Sequence, residues 1–441
     1  MNAGSVADRP RMSGNTRIQP RQPLNFSNYQ LSTCPQLLAM NRQPYQTPPQ
    51  SWPPLMTPWI VKLWRPLINR ELRRGQKITH IEVQGIEHPQ QALRDNCGVM
   101  VTPNHSFHYD SYVMIETAHR VGQPFHFLSA WQVFAMSKPF AQRVLQWHGC
   151  FSINREAADL KAFKQAVDIL QTSPQPLVVF PEGDIYHSND RVTPFRDGAA
   201  AIAMSAAKKS ERKIVCQPCA LKCFYEKDPS QELAEVMTRL EQRFNWRPRT
   251  SWPLDQRIFA YADGLLSLKE IEYIGRQQSG TIPERIQGLA NHVLARLEQT
   301  YGVTNAGGIV PERVKEVRRA VIKQLETPDL AEEVRQPLVE AMDDLFFVVQ
   351  LFSYPGNYLA EKPTLERTAE TLDKFEEDVL EQDFPGIRGE RHAIVRFGPP
   401  IEVPKQRDQR DAVARMTDQL EHAVQGLLDE INQERAAKFK V

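Results

Sequence analysis

The stretch Gly98-Val99-Met100-Val101-Thr102-Pro103-Asn104-His105-Ser106-Phe107-His108-Tyr109-Asp110 decides how the chain is read. Its first five residues form a short apolar run, the pattern of a strand buried on both faces. Proline then interrupts the run, and from Ser111 to Val121 the apolar spacing turns helical. A strand that leaves through a tight turn into a helix is the repeating unit of an α/β sheet. Ligands bind such sheets at the carboxyl ends of the strands, so His105 and Asp110 flank a turn well placed for chemistry. An imidazole there can deprotonate a hydroxyl if a carboxylate fixes its tautomer and stabilises the imidazolium, and Asp110 is close enough in sequence to do so. A surface histidine followed by a helix-capping aspartate would present the same letters. The pair therefore needs support from elsewhere in the chain.

Working outward, short apolar runs at 78–83, 125–129, 150–153, 177–180 and 214–219 read as further strands. Between them Leu160, Phe163, Val167 and Leu170 share one helical face, and the alanine-rich segment 198–207 suits close helix–sheet packing. Beyond Phe224 the pattern changes to long, charged helices at 311–325, 329–352 and 363–380. An alternating strand returns over 393–403, and a closing helix places Val413, Met416, Leu420, Val424, Leu427 and Ile431 on one side. The expected fold class is α/β: a mixed sheet flanked by helices, formed by residues 78–224 plus 390–434 and interrupted by a mostly helical insertion over 225–389.

The ends differ in character. Residues 1–54 hold nine prolines and no sustained period, the composition of a disordered arm. Residues 55–77 read as a basic, tryptophan-bearing interfacial segment. Trp52, Trp59 and Trp64 adjoin six basic residues between Ile60 and Lys77, opposed there only by Glu71, which suits an anionic membrane surface; tryptophans that simply cover the domain core would read the same way. The rear segment 326–383 carries sixteen acidic residues against four basic ones and would be repelled by such a surface. A formal net charge of +1 argues against a dedicated nucleic-acid binder. With no apolar run long enough to span a bilayer and no leader-type N-terminus, the expected place is the cytoplasm, peripheral on the cytoplasmic face of a membrane. Six cysteines in 441 residues read as reduced thiols. Neither Cys216-x-x-Cys219-x-x-x-Cys223 nor His105-x-x-His108-x-Asp110 is completed by further ligands, so no metal is expected.

The chain resembles the glycerophosphate and lysophosphatidate acyltransferase family through four blocks in order. They are Asn104-His105 to Asp110; Gly149-Cys150-Phe151-Ser152-Ile153-Asn154-Arg155; Phe180-Pro181-Glu182-Gly183; and the strand from Ile214 to Leu221 with Pro218. Segment 395–401 and the helix after it also look like the family's closing elements, whereas residues 1–70 and the insertion lie outside the likeness. The resemblance implies transfer of an acyl group from a coenzyme A or carrier-protein thioester, a co-substrate with no other cofactor, to a lysophospholipid, 1-acylglycerol 3-phosphate foremost. It makes His105 the base, with Asp110 as its partner. Arg155 would hold an acceptor phosphate, as a planar guanidinium can. Glu182 would orient Arg155 or bond an acceptor hydroxyl, Gly183 would let backbone approach the ligand, and Arg196 would match a downstream basic element.

One departure matters. The family often continues Thr-Arg-Ser after the third block, but Asp184-Ile185-Tyr186-His187 stands here, with Arg191 and Arg196 as candidates to supply the missing charge. That keeps another lysolipid or an amino-lipid open as acceptor. A non-catalytic membrane adaptor on the same scaffold is the alternative of another class; its motif residues would be degenerate, and these are intact.

Overall fold

The computed structural model describes residues 48–155, 159–304, 308–405 and 411–438. Eight strands form one sheet: β1 (Ile78–Gln84), β2 (Gly98–Pro103), β3 (His126–Ala130), β4 (Cys150–Ile153), β5 (Leu177–Val178), β6 (Ile214–Tyr225), β7 (Arg391–Phe397) and β8 (Ile401–Glu402). Their order is β1-β7-β6-β2-β5-β3-β4, with β8 on β6. Strands β6, β2, β5, β3 and β4 run parallel, and β7 turns the sheet by pairing antiparallel to β6 and parallel to β1. The sheet is thus mixed, as the sequence leads one to expect.

The helices follow as α1 (Pro58–Arg70), α2 (Glu87–Arg94), α3 (Asp110–Val121), α4 (Trp131–Ala135), α5 (Pro139–Trp147), α6 (Leu160–Thr172) and α7 (Gly198–Lys209). Then come α8 (Ser230–Arg243), α9 (Leu254–Ile274), α10 (Ile282–Tyr301), α11 (Val310–Leu325), α12 (Glu332–Ser353), α13 (Tyr358–Glu361), α14 (Leu365–Val379) and α15 (Ala412–Lys438). The strand period of two sorts the sheet's side chains into two cores. Val215, Cys219, Leu221 and Cys223 of β6 face the layer built on α1 to α4, while Ile214, Cys216, Ala220 and Phe224 face α6, α7 and α15. The alanines of α7 let that helix lie close against the sheet. Two further cores hold the helices after β6: α8, α13 and α14 pack around the start of α9, and α10 to α12 around its end.

Three elements depart from their expected lengths. Strand β5 stops at Val178 instead of 180, before Pro181, which cannot donate to a ladder. The strand expected over 393–403 is divided into β7 and β8 at Gly398-Pro399-Pro400. Strand β6 continues to Tyr225, well past the expected 219, because β7 pairs with it that far on one edge while side chains replace β2 on the other. Asn104 accepts from the Leu221 N–H (2.7 Å) and donates to the Leu221 carbonyl (3.0 Å). Asn189 does the same two residues on, accepting from the Cys223 N–H (3.0 Å) and donating to the Cys223 carbonyl (2.7 Å). Each amide satisfies one rung of buried backbone that would otherwise be orphaned.

The amino-terminal segment also departs from expectation. Residues 48–54, assigned to a disordered arm that otherwise lies outside the described residues, include Trp52, which is buried. Its backbone N–H donates to Ser152 Oγ (2.9 Å), and its indole stacks on Phe134 at 5.3 Å. Trp52 is therefore part of the core, not of an interfacial surface. Arg65 is likewise committed, gripping Glu116 through two bonds of 2.8 and 3.1 Å. Trp59, Leu63 and Leu67 of α1 remain exposed, one turn apart, and Phe140 of α5 is exposed beside Trp64. Among the described residues no helix is long and apolar enough to cross a membrane, and the five described cysteines are free and buried.

Candidate functional site

The turn between β2 and α3 is organised around one oxygen. Asp110 begins α3, and its Oδ2 accepts from the backbone N–H groups of Ser106 (2.8 Å) and Phe107 (2.9 Å) and faces His105 Nδ1 at 3.0 Å. Two N–H donors and the positive end of the helix stabilise the carboxylate, which is 2% exposed. A carboxylate cannot donate, so the proton on His105 belongs on Nδ1, which leaves Nε2 with its lone pair. The imidazole lies over the Phe180 ring at 4.0 Å and keeps 18% of its side chain accessible. A base held in a fixed tautomer and open on one side is equipped to take a proton from a hydroxyl.

Glu182 does not orient Arg155, as the sequence suggests it might. It is buried, with Oε1 accepting from the His105 backbone N–H (2.7 Å) and Oε2 from the Thr193 N–H (3.0 Å). Both oxygens are thereby engaged inside the protein, tying the exit of β5 to the β2 turn. Burial pushes this carboxyl up to about 8, against the opposing pull of the two N–H groups.

Arg155 instead donates through Nη1 to the Gly183 carbonyl (2.7 Å) and stands 3.5 Å from Asp184 Oδ1. Arg196 reaches the same glycine from another side. Its backbone N–H donates to the Pro181 carbonyl (2.8 Å), and its Nε would lie 2.7 Å from any Cβ added at Gly183. With φ of +76° and that guanidinium against it, position 183 admits only glycine without rearrangement. Burial opposes the charge on Asp184, but Arg155 and Arg196 outweigh it and lower the carboxyl below its ordinary value. Arg191 turns away and pairs with Glu361 of α13 at 2.5 Å. The structure thus brings His105, Asp110 and Glu182 into one bonded set, and Arg155, Gly183 and Arg196 into another joined to it through the 182–183 peptide.

Several neighbours escape a reading of the sequence. Tyr109 is buried and accepts from Arg391 Nη1 (2.8 Å), so β7 braces the turn from behind. His108 and His187 both face Glu377 of α14, at 2.7 and 2.8 Å. Burial keeps His187 below its ordinary pKa. Burial also works against the charge on Glu377, yet the two imidazoles outweigh it and hold that carboxyl well below the usual range. The only signal for this contact is an acidic, amphipathic helix late in the chain, which names no partner.

A family model described as Acyltransferase matches residues 80–222, a segment that contains all six of the residues picked from the sequence. Comparison with curated proteins gives no match.

Proposed function

Since residues 80–222 make this chain an acyltransferase, of the family of glycerophosphate and lysophosphatidate acyltransferases, we propose that it moves a fatty acyl group from a coenzyme A or carrier-protein thioester to the hydroxyl of a lysophospholipid. The acceptor we favour is 1-acylglycerol 3-phosphate, which gives phosphatidate. The observation that carries this reading is the His105–Asp110 contact of 3.0 Å on a partly open imidazole. His105 Nε2 takes the hydroxyl proton as the alkoxide attacks the thioester carbonyl, and Asp110 stabilises the imidazolium that forms. Collapse of the tetrahedral intermediate breaks the carbon–sulfur bond, and the proton passes to the departing thiolate. A thioester is reactive enough to need no acyl-enzyme, and the buried cysteines are poor nucleophiles: burial pushes Cys150, Cys216 and Cys223 up to about 12.

The acceptor follows from Arg155. A guanidinium holding a phosphate contributes about 1.5–3 kcal/mol through a charge-assisted bond, so Arg155→Ala should raise KM for lysophosphatidate roughly tenfold or more and leave KM for the thioester nearly unchanged. Equal effects on both substrates would assign Arg155 to structure alone. The proximity of Asp184 to Arg155 favours a second reading, in which the acceptor brings no phosphate monoester because an internal carboxylate already occupies the guanidinium. A donor-by-acceptor activity matrix read by mass spectrometry decides between the two. Transfer to neutral or amino lysolipids, with none to lysophosphatidate, selects the second.

Docking at a membrane surface completes the reading. Trp59, Leu63 and Leu67 form an exposed apolar ridge on α1, with Lys62 and Arg70 exposed on the same helix and Arg73 and Arg74 just beyond it. Trp59→Ala combined with Leu63→Ser should weaken sedimentation with anionic vesicles at every salt concentration. Removing the basic residues should matter only at low salt, since surface charge is screened within about 10 Å at 0.1 M. Unchanged sedimentation of the Trp59 and Leu63 variant would place the contact elsewhere.

A further inference from the structure

Three side chains from distant parts of the chain converge behind the catalytic turn. His108 comes from the turn itself, His187 from the segment after Gly183, and Glu377 from the last full turn of α14. One carboxylate oxygen, Glu377 Oε1, lies 2.7 Å from His108 Nε2 and 2.8 Å from His187 Nε2. The potential ligand atoms of the three residues all lie within 4.8 Å of one another. The cluster is secluded, with side-chain exposures of 13% for His108, 1% for His187 and 2% for Glu377.

Hydrogen bonding alone does not account for it. His108 Nε2 bonds the oxygen, but His187 Nε2, though close, is off the direction of a hydrogen bond and is left without a partner, as is its Nδ1. An unpaired buried polar group is costly, because it has given up its bonds to water and gained none. The His187 backbone also sits in the left-handed region, with φ of +49°. Histidine is among the non-glycine residues that enter this region most readily, so the turn sets the direction of the ring without unusual strain. The fold therefore buries this imidazole against that carboxylate without giving it the geometry of a hydrogen bond.

We propose that His108, His187 and Glu377 form a binding site for a divalent zinc-class cation. A metal ion set between the three atoms uses the lone pairs of both Nε2 atoms and the carboxylate charge, and it accounts for a His187 Nε2 that stands 2.8 Å from the oxygen without a hydrogen bond to it. Two imidazoles and one carboxylate suit zinc, with ligand distances of about 2.0–2.2 Å and a water as the fourth ligand. Ligand atoms around a tetrahedral ion stand a little over ~3 Å apart, so the Glu377 oxygen must draw back from each imidazole nitrogen by roughly half an ångström to admit the ion. These residues differ from the His105, His108 and Asp110 set that the sequence presents, since Asp110 Oδ2 is occupied by His105 and two backbone donors. The bound ion would clamp α14 to the turn three residues beyond His105. It is a fixing role, separate from the chemistry at Nε2 of His105, and it stands whichever acceptor the enzyme uses.

The test uses the full chain, made without a histidine tag and purified without chelators. Elemental analysis after incubation with zinc and gel filtration should give close to one zinc per chain. Chelation should lower the unfolding temperature, because a ligand that binds only the folded state stabilises it by mass action. Cobalt put in place of zinc should show the visible bands of a four-coordinate site. Glu377→Gln, a change that keeps shape and can still accept a hydrogen bond, should weaken zinc binding by more than the ~10–100-fold that loss of an outer-sphere partner costs. His187→Gln is the second variant should Glu377→Gln fail to fold. Zinc at well under a tenth of an equivalent in the native chain, with no response to chelator, would overturn the proposal. So would full zinc retention in both variants, which would place the metal elsewhere.

Discussion

Replacing His105 by alanine should lower turnover by at least the ~10² typical of losing a general base, while the unfolding temperature stays close to that of the native chain. The expectation rests on how the turn is built. Asp110 is held by two backbone N–H groups whether or not the imidazole is present, and Glu182 bonds the backbone of residue 105, not its ring. Truncation therefore removes the base and leaves the loop's anchors in place. Asp110→Asn should also be impaired, since an amide can accept from Nδ1 but carries no charge to stabilise the imidazolium. Both variants are to be compared under saturating thioester and acceptor, with circular dichroism as the control for folding. Near-normal turnover in His105→Ala would locate the base in another group.

The largest effect on stability should come from Asp190. Its Oδ1 faces Lys222 Nζ, which is 1% exposed in the middle of β6, and its Oδ2 accepts from Arg367 Nε of α14 at 2.7 Å. Asp190→Ala leaves two enclosed cations without their carboxylate, and breaking a buried pair in this way costs about 3–5 kcal/mol. A second change, Lys222→Met, should recover part of the loss by removing one of the orphaned charges. Urea unfolding of the single and double variants checks both statements; a single variant as stable as the native chain refutes the first. The same group sets a limit in acid. Burial opposes its charge, but Lys222 and Arg367 prevail and bring the carboxyl from the ordinary 3.8 down to about 2. Because the folded value is depressed, the stabilisation is complete above pH ~4 and is lost as pH falls through about 2.

Much of the sheet can be read from apolar runs because the central strands are covered on both faces and need no polar side chain. Lys222 shows where that reading stops. A lysine inside an apolar run looks like a strand's end, and Asp190 with the Asn189 carbonyl, more than thirty positions earlier, makes it an interior residue. The place of Trp52 is hidden for a related reason: a lone tryptophan among prolines has no period, and its partners Ser152 and Phe134 are far along the chain. His105 and Asp110 are legible because one strand, one turn and one helix bring them together. Arg155 and Arg196 are visible one at a time, but their meeting at Gly183 depends on β4 and β5 flanking β3 as parallel strands. The contact of Glu377 with His108 joins positions 269 apart and leaves no local trace.

The pairing of β1 with β7 has a consequence for how the protein is made. Among the described residues β1 has no other neighbour in the sheet, and its partner lies roughly 300 residues downstream. At the ~5–20 residues per second of translation, β1 emerges many seconds before the strand that covers its edge. For that interval the far edge of β6 is open as well, since β7 and β8 are its partners there. Helices α10 to α12 pack on one another and on the end of α9, all close in sequence, and are able to form during the wait. Closure of the sheet is then a late, long-range event. Chains that end before residue 391 should accumulate as aggregates and not as a smaller working enzyme, because two unpaired strand edges remain available to other chains.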